Sequence, residues 1–200
     1  MQAFDSLSRD IQQYIYDKGW PSLTHIQNAA IKQVANTDHN LILSAPTASG
    51  KTEAAFIPAL NSVEDWETGL KVLYISPLKA LINDQFHRIS ELSEYLDIPI
   101  TRWHGEVSQA QKKKVVNQPK GVLLITPESI EGMLVNRPGE AQHLFKGVEW
   151  IIIDELHSFL GTERGIHLQS LLQRISRFMQ APRFIAMSAT LNKKDFGYAK

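Results

Sequence analysis

The 200-residue chain has no cysteine, which removes disulfides, thiolate zinc sites, iron–sulfur clusters and cysteine nucleophiles together. It also lacks an excess of either charge, with 21 Lys plus Arg against 21 Asp plus Glu. That balance neither favours nor excludes a nucleic-acid partner, because phosphate binding needs only a local cluster. Long apolar runs are missing as well. Those present, such as Ile151–Ile153 with its neighbours, are strand-sized and far short of a bilayer span. Asp5, Arg9 and Asp10 break up the start of the chain and leave no signal-peptide core. The expectation is a soluble, cytoplasmic protein with no membrane segment.

What is present is 43% apolar and 21% charged, enough to bury a core and too apolar for a disordered chain. The length suits one α/β domain. Short β-rich runs recur at Leu41–Ala45, Val72–Ser76, Ile98–Trp103, Val122–Thr126, Trp150–Asp154 and Phe184–Ser188. They are nearly uninterrupted apolar runs, as expected of strands buried on both faces of a parallel sheet. Helical spacing fits Thr52–Leu60, Leu78–Leu92 and His167–Phe178, and two further amphipathic segments, Asp5–Asp17 and Ile26–Val34, precede the first strand. Alternating β and α units predict a doubly wound, mostly parallel sheet with helices on both faces. Loops are expected at Asn61–Gly69, Asn117–Gly121 and Asn136–Glu140. The polar tail Asn192–Lys200 follows closely on the last strand, and a piece of a longer protein is expected.

Ala45-Pro46-Thr47-Ala48-Ser49-Gly50-Lys51-Thr52 follows the first strand and leads into the helix-forming Glu53-Ala54-Ala55-Phe56. This is the pattern of a P-loop. Backbone N–H groups of Thr47, Ala48, Ser49 and Gly50 and of the helix start would face phosphates, Lys51 would reach the β and γ phosphates, and the Thr52 hydroxyl would hold magnesium. Ala45 replaces the first Gly of the usual pattern, and Ala48 stands where many related loops have another. Both substitutions are expected to be tolerated where the backbone avoids positive φ.

The second signal is Trp150-Ile151-Ile152-Ile153-Asp154-Glu155-Leu156-His157. A buried strand ending in Asp places a carboxylate at its C-terminal edge, beside the P-loop magnesium. Asp154 would hold the metal, and Glu155 would polarise the attacking water. The competing account has both simply capping the following turn.

Asp154–His157 is a DExH box, and further motifs stand in order around it: Thr24-His25-Ile26-Gln27, Ser76-Pro77-Leu78-Lys79-Ala80-Leu81, Thr126-Pro127-Glu128-Ser129 and Ser188-Ala189-Thr190. The chain resembles the first RecA-like domain of superfamily-two DExH-box helicases over about Trp20–Leu191. Pro77–Gln85, Trp103–Glu106 and Leu156–Gly165 look most like the large helicase-related (Lhr-type) proteins. The resemblance implies an ATP-binding domain over residues 1–200, a second RecA-like domain elsewhere in the same protein, and ATP with Mg2+ as cofactors. It implies a nucleic-acid partner, with DNA favoured over RNA, and a catalytic set of Lys51, Glu155 and His157. Gln27 would pair with adenine N6 and N7. Pro77, Lys79, Arg88, Gly105, Thr126 and Ser129 would face the strand, whose phosphates they would fix without reading sequence. Ser188 and Thr190 would couple nucleotide state to strand grip by bridging to Asp154 or His157. The rival reading is a P-loop switch that regulates a partner without translocation.

Overall fold

A computed structural model describes residues 2–46 and 48–191. Among them, six strands form one sheet: β1 (Leu41–Ser44), β2 (Gly69–Ile75), β3 (Ile100–Trp103), β4 (Lys120–Ile125), β5 (Trp150–Ile153) and β6 (Arg183–Ser188). All pairings are parallel, in the order β1-β6-β5-β2-β4-β3. The six runs read as strands are the six strands. Burial on both faces holds for the inner ones, but β1 and β3 lie at the sheet edges. Ile42 and Ser44 are exposed and only Leu43 of β1 is buried, because an edge strand is covered by fewer neighbours.

The helices are α1 (Arg9–Asp17), α2 (His25–Asn36), α3 (Lys51–Ser62), α4 (Lys79–Tyr95), α5 (Gln109–Asn117), α6 (Pro127–Asn136), α7 (Pro138–Phe145) and α8 (Glu163–Ser176). They cover both faces. Alternation along β2 sends Val72 and Tyr74 into a core with Ile11, Ile31, Phe56 and Ile82, from α1 to α4. Leu73 and Ile75 go the other way, into a core with Ile130, Phe145, Leu171 and Ile175, from α6 to α8. None of the described helices is long and apolar enough to cross a membrane.

Asn136–Glu140, expected as a loop, is instead a helix-to-helix junction. Asn136 ends α6, Arg137 stands between the two helices, and Pro138 opens α7. Proline at the first helical position gives up only an N–H that lacks a partner there, so a Pro-Gly pair is also a helix start. α6, which was not expected as a helix, starts by the same logic, since the Thr126 hydroxyl accepts from the Ser129 N–H and Pro127 occupies the first turn.

Parallel pairing puts every strand's C-terminal end on one edge of the sheet. Along that edge, the segments after β1, β6 and β5 are neighbours, followed by those after β2, β4 and β3. The P-loop, Ser188–Thr190 and the DExH box thus occupy one half. The segments beginning at Ser76, Thr126 and His104 occupy the other. Chain order mixes these two groups; sheet order sorts them.

Candidate active site

Gly50 turns the chain from β1 into α3 with φ 83°, a left-handed conformation suited to glycine. A Cβ there would meet Gln27 Nε2 at 2.6 Å. Ala48 also has positive φ, 62°, contrary to the expectation that alanine would serve because the backbone avoids that region. Thr47 lies outside the described residues. Lys51 donates from Nζ to the carbonyls of Ala45 and, at 2.8 Å, Pro46, which folds it across its own loop.

Two cavities flank the loop. One, of about 440 Å³, is bounded by Thr24, His25, Ile26 and Ala29 of the α2 region and by Ile42–Ala45 with Ser49. The other, of about 140 Å³, has Ala48, Gly50, Lys51 and Thr52 on one wall, Gln85 and Arg88 of α4 on another, and Asp154, Glu155 and Met187 at its base. The second brings the two nucleotide motifs together, although Lys51 and Asp154 are far apart in sequence.

Asp154 is buried. Its Oδ2 accepts from the Tyr74 hydroxyl of the neighbouring strand and its Oδ1 from the Glu155 N–H at 2.9 Å. Burial pushes its carboxyl above the usual carboxylate value, while the Tyr74 hydrogen bond opposes that rise. Tyr74 itself is raised well above its ordinary value, first by burial and then by the Asp154 charge. Glu155 adopts left-handed φ of 48°, and its Oε2 lies 3.2 Å from His157 Nδ1. The same His157 nitrogen is 3.3 Å from Ser188 Oγ. Ser188 therefore reaches His157, as expected of a coupling residue. Thr190 contributes its carbonyl, which accepts from the Ser188 hydroxyl at 2.9 Å, and its own side chain is exposed.

Gln27 is buried. It completes a capping box at the start of α2: its Oε1 accepts from the Thr24 N–H at 2.9 Å, while its own N–H donates to Thr24 Oγ1 at 3.4 Å. The amide oxygen is thus engaged by the Thr24 N–H, and adenine pairing by Gln27 would have to share or displace that bond.

On the other half of the edge, Pro77 is buried and its carbonyl accepts from Arg164 at 2.8 Å. Arg164 also bonds Glu128 Oε1 at 2.7 Å, so one guanidinium ties the segments after β2, β4 and β5. Lys79 is exposed and ion-paired with Glu106, next to the exposed Gly105. The Thr126 hydroxyl donates to Ser129 Oγ at 3.0 Å. Arg88 is not with them. It lines the smaller cavity and bonds Glu53, in the first turn of α3, at 2.8 and 3.1 Å.

Sequence reasoning missed Tyr74, Gln85 and Glu53. Tyr74 sits in a strand-like apolar run and carries no local signal, since its partner is 80 residues away. Gln85 and Arg88 share a face at three-residue spacing, but only the packing of α4 shows where that face points.

The model of the DEAD/DEAH box helicase family matches residues 24–196. The ATP-dependent helicase Lhr-Core of Methanocaldococcus jannaschii is 30% identical over 96% of this chain and 24% of its own length. The Lhr helicase/uracil glycosylase of Escherichia coli is 34% identical over 84% of this chain and 12% of its own length. The structure of Mycobacterium smegmatis helicase Lhr bound to ssDNA and AMP-PNP superposes with a TM-score of 0.84 at 28% identity, over 96% of this chain and 26% of that one. The chain thus spans about a quarter or less of the length of these relatives.

Proposed function

We propose, on the premise that this chain belongs to the DEAD/DEAH box helicase family, that it is the first RecA-like motor domain of an ATP-dependent helicase or translocase working on nucleic acid in the cytoplasm. The observation that carries the reading is the shared cavity of Lys51, Thr52, Asp154 and Glu155, beside a second half-edge bearing Pro77, Lys79, Gly105, Thr126 and Ser129. Lys51 and the loop N–H groups bind the phosphates. Glu155, braced by His157, orients and polarises the attacking water. Thr52 and Asp154 offer oxygen donors in one cavity, a set suited to a hard divalent cation, and they would hold Mg2+ there. When bound, Mg2+ supplies charge neutralisation at the phosphates.

Thr126, Ser129 and Lys79 grip a strand through its backbone, which gives binding without sequence preference. The ssDNA-bound Lhr relative supports DNA as the polymer. A second RecA-like domain of the same protein closes over the cleft, because alternate gripping needs two bodies that move against each other. Ser188 and His157 transmit the nucleotide state.

The test is the ATPase rate of the full-length protein with single-stranded DNA, single-stranded RNA and no polymer. Stimulation by DNA above RNA is expected. A greater effect of RNA reverses the polymer assignment, and no stimulation by either leaves a nucleotide switch in place of a translocase.

A further inference from the structure

Arg88 stands apart from the other residues of its segment. The 440 Å³ cavity at Thr24 and His25 is on the α2 side of the loop. The smaller cavity contains Glu155, the residue placed to polarise the attacking water. Water attacks the last phosphate of the chain, so the Glu155 side is the terminal-phosphate end. Arg88 lines that cavity too, and comes from a different helix than Lys51.

Its guanidinium is held ready. Nε and Nη2 bond the two oxygens of Glu53, which directly follows Lys51-Thr52 on α3. A bidentate pair of this kind fixes the plane of the group. Two of the five N–H donors of a guanidinium are used in this way, and no other described residue accepts from Arg88. The remaining donors sit on a cation whose ordering cost has been met before any anion arrives. One turn earlier, Gln85 turns the same face of α4 into the cavity, and its Oε1 is buried with no partner among the described residues.

We infer that Arg88 is a specificity-determining residue for the terminal phosphate: anchored by Glu53, it donates to the γ-phosphate and makes the cleft distinguish a nucleoside triphosphate from a diphosphate. The inference rests on the reading of this cleft as an ATP site. Glu53 sets the position of the guanidinium and leaves its outer N–H groups for the anion. Lys51 differs from Arg88 in that it also serves the β phosphate, which ATP and ADP share.

The experiment measures ATP and ADP affinities of the full-length protein by calorimetry in the presence of Mg2+, with thermal unfolding of each variant as a control. Arg88→Gln is expected to weaken ATP by about tenfold or more, the scale of a lost hydrogen bond to a charged group, while ADP affinity stays within about twofold. Arg88→Lys, which keeps the charge but not the fork, falls between. Lys51→Ala weakens both nucleotides. Equal losses of ATP and ADP in Arg88→Gln, or no loss of either, overturn the inference while leaving the ATP site intact. Failure of the unaltered protein to bind either nucleotide removes the ATP site and the inference with it.

Discussion

Tyr74, at the middle of the sheet, donates its hydroxyl hydrogen to Asp154 Oδ2, just past the end of the adjacent strand. Both groups are buried, so the hydroxyl is one of the few donors available to a carboxylate that burial would otherwise drive toward its neutral form. The bond opposes that rise and fixes the carboxyl in one orientation, as the proposed cation ligand requires.

Replacing Tyr74 by Phe removes that donor and keeps the ring, whose centroid is 5.5 Å from that of Phe56. The Mg2+ concentration for half-maximal ATP hydrolysis in the full-length protein is expected to rise by about tenfold or more, the effect of losing about 1.5 kcal/mol or more of charge-assisted hydrogen bonding. A magnesium titration of the ATPase checks it. An unchanged midpoint would show that Asp154 is oriented without Tyr74.

Glu155→Gln keeps the size of the side chain and removes the base. Turnover should fall by roughly 10²-fold or more, with ATP affinity retained, as measured by steady-state rates beside nucleotide binding. An unchanged rate takes Glu155 out of the mechanism.

Gln27→Ala removes half of the capping box and the group packed on Gly50. With the amide engaged in that box, ATP and GTP affinities are expected to fall together. The capping loss costs about 1 kcal/mol of helix stability. Competition binding with both nucleotides checks this, and a loss confined to ATP restores the adenine-pairing role.

Glu131 on α6 is held by Arg174 and His167 of α8, and these hydrogen bonds, that of Arg174 first, lower its carboxyl from 4.5 to about 2. A depressed pKa contributes stability that is present above the unfolded value and lost as pH falls through the folded one. Glu131→Gln should therefore destabilise at neutral pH by about 1 kcal/mol or less, since the site is partly exposed. The gap to the unaltered protein closes between about pH 4.5 and 2. Denaturant midpoints across that range measure it, and a gap independent of pH would assign the effect to packing.

The strands and the two nucleotide motifs were legible in the sequence because their determinants are local. An apolar run bounded by turn residues is a strand wherever it occurs, and a Gly-Lys-Thr after such a run begins a helix whose N–H groups face outward. Ser49, Gly50, Lys51, Thr52, Asp154 and Glu155 were named on that basis, and they line the two cavities beside the loop; Gln27 was named from the resemblance alone. α5 and α6 were not read as helices, and α7 was lost because Pro138-Gly139 fits a turn and a helix start equally well.

What each residue faces was decided by tertiary structure alone. The strand order sets the segment after β5 beside those after β6 and β2, so Asp154 receives Tyr74, His157 receives Ser188, and the P-loop half of the edge separates from the half that begins at Ser76, Thr126 and His104. α4 then carries Arg88 away from Lys79, into the cavity of Lys51 and Glu155. No local pattern encodes this. Three-residue spacing puts Gln85 and Arg88 on one face of a helix, but which face meets α3 follows from burying Ile82, Ile89 and Leu92 against the sheet, a requirement set by residues scattered along the whole chain.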